Sequence, residues 1–93
     1  MRYIISYDIS ENKIRNRLVR ILEKYGERVQ YSVFEFELDN DAFRNLLSEL
    51  KVNGFLRRSK NYKLYIYCLK PHLVKKIKRV GNKPFLDSKF LVV

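Results

Sequence analysis

The sequence predicts an α+β domain with the element order βαββαβ. Three observations lead there. Residues 2 to 8 (RYIISYD) form a β-branched and aromatic run, apolar on both faces except at its ends. Two later stretches repeat apolar residues at helical spacing, each between cap-like and stop-like residues. Residues 28 to 38 (RVQYSVFEFEL) alternate with a period of two.

The first strand is a central strand and stops at Asp8. Ser10 reads as the N-cap of the first helix. Ile14, Leu18, Ile21, Leu22 and Tyr25 make its apolar stripe, and Gly26 ends it. In the next segment Val33, Glu35 and Glu37 point one way, and Phe34, Phe36 and Leu38 the other. Its eleven extended residues allow one long strand or a hairpin turning near Tyr31-Ser32. Asp39 to Asp41 open a second helix with a cap and negative charge. That helix buries Ala42, Phe43, Leu46, Leu47 and Leu50, and Asn53-Gly54 stops it. A basic loop with Arg57, Arg58, Lys60 and Lys63 leads into the strand KLYIYCL at 63 to 69, which Pro71 breaks. Residues 74 to 80 read as a further strand, and an apolar tail, Phe90 to Val93, closes the chain.

With a hairpin at 28 to 38 the order is the ferredoxin-like βαββαβ arrangement plus an extra C-terminal strand, in a single domain over residues 1–93. Two helices cover one face of such a sheet. The strands nevertheless carry apolar residues on both faces, as at Ile4 and Ile5 or Tyr65 and Ile66. The uncovered face therefore predicts a homodimer packed sheet to sheet. The apolar tail is a second candidate for pairing between subunits.

Charge is the strongest global signal. Twenty Lys and Arg against ten Asp and Glu give a formal charge of +10, which directs attention to a polyanion, DNA or RNA before an acidic membrane surface. Lys13, Arg17, Arg20 and Lys24 recur on one helical stripe with no acid on it, and Arg57 and Arg58 extend it. These six read as a phosphate track with weak sequence preference and steep salt dependence. A solvated helix face is the plainer explanation of the same pattern.

Other chemistries find little support. The single cysteine, Cys68, reads as a buried reduced thiol, and His72 as a loop residue without ligand-forming neighbours. There is no GxSxG, no glycine-rich phosphate loop and no CxxC. The N-terminal apolar run is too short for a signal segment, and no run approaches a membrane span. A soluble, cytoplasmic protein without membrane attachment is expected. Asp8, ending a buried strand before a helix, reads as a ligand for Mg²⁺, which accepts one or two carboxylates and keeps several waters. A helix cap or an arginine partner is the plainer account from pattern alone, unless a two-fold axis brings two copies together.

The stretch YDIS at 7 to 10, RNRL at 15 to 18 and KYGERVQYSVFEFEL at 24 to 38, followed by an acidic helix start, closely resembles the second CRISPR-associated adaptation protein family. The match is specific over the first forty residues and looser toward KLYIYCL and the tail. The resemblance implies a ferredoxin-fold homodimer that works with the CRISPR adaptation integrase in antiviral defence. It also implies a Mg²⁺-dependent endonuclease acting on RNA or DNA, or else a scaffold whose nuclease residues are dispensable. Carried over by motif, Asp8 is the metal-binding aspartate, facing its copy across the dimer, and Tyr7 adjoins it. Arg15, Arg17 and Arg28 match basic residues near the site, and Phe34 an aromatic implicated in activity. A base-stacking RNA-binding module lacks its Gly-spaced aromatic motif here, and a toxin-like ribonuclease on a similar fold is a further alternative.

Overall fold

A computed structural model describes residues 1–81. The elements are β1 (Arg2–Ile9), α1 (Asn12–Glu23), β2 (Glu27–Gln30), β3 (Val33–Glu37), α2 (Asn40–Lys51), a 3₁₀ segment (Val52–Arg58), β4 (Tyr62–Leu69) and a short α3 (Pro71–Val74). The strands form one four-stranded sheet in the order β2-β3-β1-β4, and each neighbouring pair is antiparallel. This is the ferredoxin-like topology the segment order predicts.

β1 runs through the middle, and its alternation assigns the two faces. Tyr3, Ile5, Tyr7 and Ile9 are buried with Phe34 and Phe36 of β3, beneath Leu18, Ile21 and Leu22 of α1 and Leu46 and Leu50 of α2. Phe55 of the 3₁₀ segment completes this core. The opposite, open face carries Ile4, Ser6 and Asp8 beside Val33, Glu35 and Glu37. β4 is an edge strand that the helices hardly reach, so Tyr65, Ile66 and Tyr67 are exposed at 54%, 37% and 51%.

The local signals explain most boundaries. Asp39 caps α2 by accepting the Ala42 amide at 2.8 Å. Asn53 and Gly54, with φ of 56° and 58°, turn the chain out of that helix in the left-handed region. Gly26 closes α1 against the sheet: a Cβ there would stand 2.3 Å from the Glu35 carbonyl oxygen. The chain reverses at Tyr31-Ser32, which selects the hairpin over the single strand.

Several expectations are corrected. The N-cap of α1 is Glu11, not Ser10. The Glu11 carboxylate makes no cap; it accepts from the Ser59 hydroxyl and the Lys60 amide, clasping the loop before β4. Residues 74 to 80 are not a strand. Amides of Leu73, Val74, Lys76 and Ile77 bond back to carbonyls three or four residues earlier, and Arg79 then reaches the buried Glu35 on the open face. Cys68 is exposed, since it lies on the edge strand. His72 sits in α3. The tail from Phe90 to Val93 lies outside the described residues. Among those described, no helix is long and apolar enough to cross a membrane.

Candidate nuclease site and phosphate groove

Asp8 stands on the open face at the end of β1, solvent-exposed. Its carboxylate makes no hydrogen bond or ion pair with other described residues. It borders two concavities. One, of about 540 Å³, is lined by Ser6, Tyr7, Arg15, Tyr31, Ser32, Lys63 and Tyr65 as well as Asp8. The other, of about 300 Å³, lies toward Ser10, Ser59, Lys60 and Lys63. Neither of the alternatives open to the sequence applies: Asp8 is neither the cap of α1 nor an arginine partner.

The surrounding scaffold holds this strand end in place. The Tyr7 amide donates to the Ser32 carbonyl at 3.0 Å, and the Tyr7 hydroxyl donates to the Tyr31 carbonyl at 3.2 Å. The hairpin turn is thereby fastened twice beside Asp8. Burial pushes the Tyr7 phenol up from its ordinary pKa, and the nearby Arg28 opposes this in part. Arg15 donates to the Ile9 carbonyl at 3.0 Å and also to the Asn12 side chain, which pins the first turn of α1 to the end of β1.

The residues carried over by motif thus fall into three settings. Asp8, Tyr7 and Arg15 line one concavity. Phe34 is fully buried and packs on Tyr7 with ring centroids 6.3 Å apart, while the Arg28 guanidinium lies 5.5 Å from the Phe34 ring centre. These two support the strand from its helix face. Arg17 belongs elsewhere: its guanidinium covers the Phe55 ring at 4.5 Å.

That position defines a further groove, of about 580 Å³, where Lys13, Arg17 and Arg58 stand with Glu11, Asn12, Ile14 and Phe55. The other basic residues of the expected track disperse. Lys24 pairs with Glu49 of α2, an acid that the stripe of α1 alone could not reveal. Arg20 is exposed and lies off the groove. Arg57 lines a separate depression with Leu50, Leu56 and Tyr62. Sequence reasoning left Lys63 and Tyr65 out of the site, because their approach to Asp8 depends on the β1–β4 register, which pairs Asp8 with Lys63.

The donor set suits a hydrated divalent ion better than a fully protein-bound one. Among the described residues no group of three or more His, Cys, Asp or Glu is close enough to hold a metal. The unengaged Asp8 oxygens are hard donors, and the Ser6 and Ser32 hydroxyls are near. A single carboxylate with nearby hydroxyls fits an ion such as Mg²⁺ that retains most of its water.

Comparison with known proteins supplies the family. The model for "CRISPR associated protein Cas2" matches residues 1–77. The chain is 38% identical over 84 residues to the CRISPR-associated endoribonuclease Cas2 1 of Chloroflexus aurantiacus, covering 90% of this chain and 88% of that protein. A Cas2 endoribonuclease of Thermus thermophilus is 34% identical over 80 residues, covering 86% and 82%. Among solved structures, a chain in a partial Cas6-RT-Cas1–Cas2 complex is 31% identical, with a TM-score of 0.67 and coverage of 84% and 82%. Streptococcus pyogenes Cas2, at 24% identity and a TM-score of 0.66, covers 87% of this chain and 100% of its own; it shares the fold. With this family model spanning most of the chain and relatives matched over nearly their whole length, the chain belongs to the CRISPR associated protein Cas2 family.

Proposed function

We propose that this protein is a CRISPR adaptation component that cleaves phosphodiester bonds of RNA or DNA in a Mg²⁺-dependent reaction. One observation carries this reading: an exposed carboxylate, Asp8, is left without a partner among the described residues at the end of a rigid central strand, between two concavities bordered by cations. Relatives described as Cas2 endoribonucleases support it.

Asp8 and its copy from a second chain would hold the ion, which when bound lowers the pKa of a water and polarises the phosphodiester. Arg15 keeps a fixed positive charge at the mouth of the site because Ile9 and Asn12 orient it. Tyr7 and the Tyr31-Ser32 turn hold Asp8 at its place on the strand. Phe34 and Arg28 act from below as positioning residues. No histidine lines either concavity.

The open face supports a homodimer. Tyr65 and Tyr67 are half exposed there and lie 6.2 Å apart as a tilted pair, an apolar surface suited to a second copy. A sedimentation mass of twice 11.3 kDa would establish the dimer, and the single-chain mass would exclude it. A cytoplasmic site of action, with nucleic acid and the adaptation integrase as partners, completes the proposal. The likeness to a chain from a Cas1–Cas2 complex supports the integrase partner.

A scaffold role is favoured by the groove at Lys13, Arg17 and Arg58, which offers three cations away from Asp8. Cleavage of labelled single-stranded RNA and duplex DNA with and without Mg²⁺, by wild type and Asp8→Asn, decides between the two. Loss of cleavage in the variant supports the nuclease. Absence of cleavage by both, with tight DNA binding, establishes the scaffold.

A further inference from the structure

We infer that Lys63 is a further substrate-contacting residue of the Asp8 site, binding the phosphate next to the one that is cleaved. The inference rests on the nuclease reading for its catalytic part. Its phosphate-binding part stands independently.

Three observations lead to it. First, the β1–β4 register places Lys63 directly opposite Asp8, and directly opposed residues on one face of an antiparallel pair have Cβ atoms about 4.5–5.5 Å apart. Second, Lys63 lines both concavities that flank Asp8, whereas Arg15 lines only one of them. A phosphodiester chain passing from one to the other across Asp8 has to pass its ammonium. Third, of the other cations near Asp8, Arg15 is fastened to Ile9 and Asn12, Arg28 lies on the helix side over Phe34, and Lys60 lines only the smaller concavity. Among the described residues the Lys63 ammonium forms no hydrogen bond or ion pair, although its cross-strand neighbour is a carboxylate.

Exposed opposite charges on adjacent strands gain little by pairing, and Lys63 and Asp8 stand apart while bordering the same hollow. A cation that binds phosphate oxygens and a carboxylate that binds a metal serve the two sides of one phosphodiester, and closing the pair would remove both. Lysine suits the role as a compact charge on a flexible stem that follows a phosphate without imposing a fork geometry.

The test uses the full chain with labelled single-stranded RNA, comparing wild type, Lys63→Gln, Lys63→Arg, Asp8→Asn and, as a cation away from both concavities, Lys51→Gln. Lys63→Gln is expected to raise KM about tenfold with a smaller change in kcat, as for removal of one charge-assisted hydrogen bond made in ground and transition states alike. Lys63→Arg should restore most of the loss, and Lys51→Gln should match wild type. In binding, the slope of log affinity against log salt should fall by about 0.7 for Lys63→Gln on a single strand. Unchanged KM and slope in Lys63→Gln, beside an inactive Asp8→Asn, would overturn the inference and leave the nuclease reading intact. An equal loss in Lys51→Gln would overturn it too, as general charge. If neither wild type nor Asp8→Asn cleaves, the nuclease reading fails, and the binding slope alone decides Lys63.

Discussion

Two carboxylates on the open face of the sheet are handled in opposite ways. Glu35, in the middle of β3, is buried, with Arg79 bonded to both its oxygens at 2.7 Å and Arg2 at 3.1 Å. Asp8, at the end of β1, is exposed and left without a protein partner among the described residues. Both are acids on strands, and both sit among cations. The difference lies in whether desolvation has been compensated. Two guanidiniums enclose Glu35 in place of water, and the enclosure fastens the chain after α3 onto the sheet. Asp8 keeps its hydration and with it the capacity to exchange water for a ligand. One holds the fold and the other is held by it.

The contrast breaks most sharply by mutation. Glu35→Ala should cost about 3–5 kcal/mol, because it removes the buried carboxylate that both Arg2 and Arg79 bond. A chemical denaturation curve reads this directly. Asp8→Asn should shift the same curve by less than about 0.5 kcal/mol while removing cleavage. Equal stability losses in the two variants would erase the distinction between them. Phe34→Ala should also destabilise by about 3–5 kcal/mol, since a fully buried ring is removed. Its activity should therefore fall together with its melting temperature.

Solution pH sharpens the comparison next. The carboxyls of Glu11 and Glu49 lie below their ordinary range, through hydrogen bonds from Ser59 and from Lys24 respectively. The Glu37 carboxyl is lowered first by the chain's amino terminus, then by Arg2. Their folded pKa values are depressed, so their stabilisation is present above the unfolded value of about 4.5 and is lost as pH falls through the folded values. The phenols of Tyr3, Tyr7 and Tyr25 are raised, the first two mainly by burial and Tyr25 mainly by its bond to Glu49. Their stabilisation is complete below about pH 10 and is lost as pH rises through the folded values. Melting temperature against pH should thus fall at both extremes.

The smallest expected effect concerns the basic helix. Alanine at Lys13, Arg17 and Arg58 should lower the salt slope of duplex DNA binding by up to about 0.9 for each phosphate no longer neutralised. Alanine at Arg20 and Lys24 should change it less, because Lys24 is already paired with Glu49 and Arg20 lies off the groove. An equal fall in both variants would mean that charge on α1 acts as a whole.

What could be read in the sequence was local. The stripe of α1, the Asp39 cap, the Asn53-Gly54 stop and the alternation through Phe34 and Phe36 depend on neighbours a few residues away, and the fold reproduces them. Asp8 stood out for the same reason, at the end of an apolar run. What escaped was set by pairing across the chain. The approach of Lys63 to Asp8 requires the β1–β4 register. The quenching of Lys24 requires the packing of α2 on α1. The exposure of Cys68 follows from β4 being an edge, and the failure of a strand at 74 to 80 from the partnership of Arg79 with Glu35. Each depends on residues more than twenty positions apart, or on strand order, and periodicity carries neither.

The tilted Tyr65–Tyr67 pair on the open face has a practical consequence. The chain contains no tryptophan and seven tyrosines, so its ultraviolet emission comes from phenol rings alone. Two of these rings are half exposed on the face that a second copy would cover. Dilution or added nucleic acid that uncovers or shields this surface will change tyrosine emission without any attached dye. A single Tyr67→Trp substitution would concentrate that optical signal at one known position.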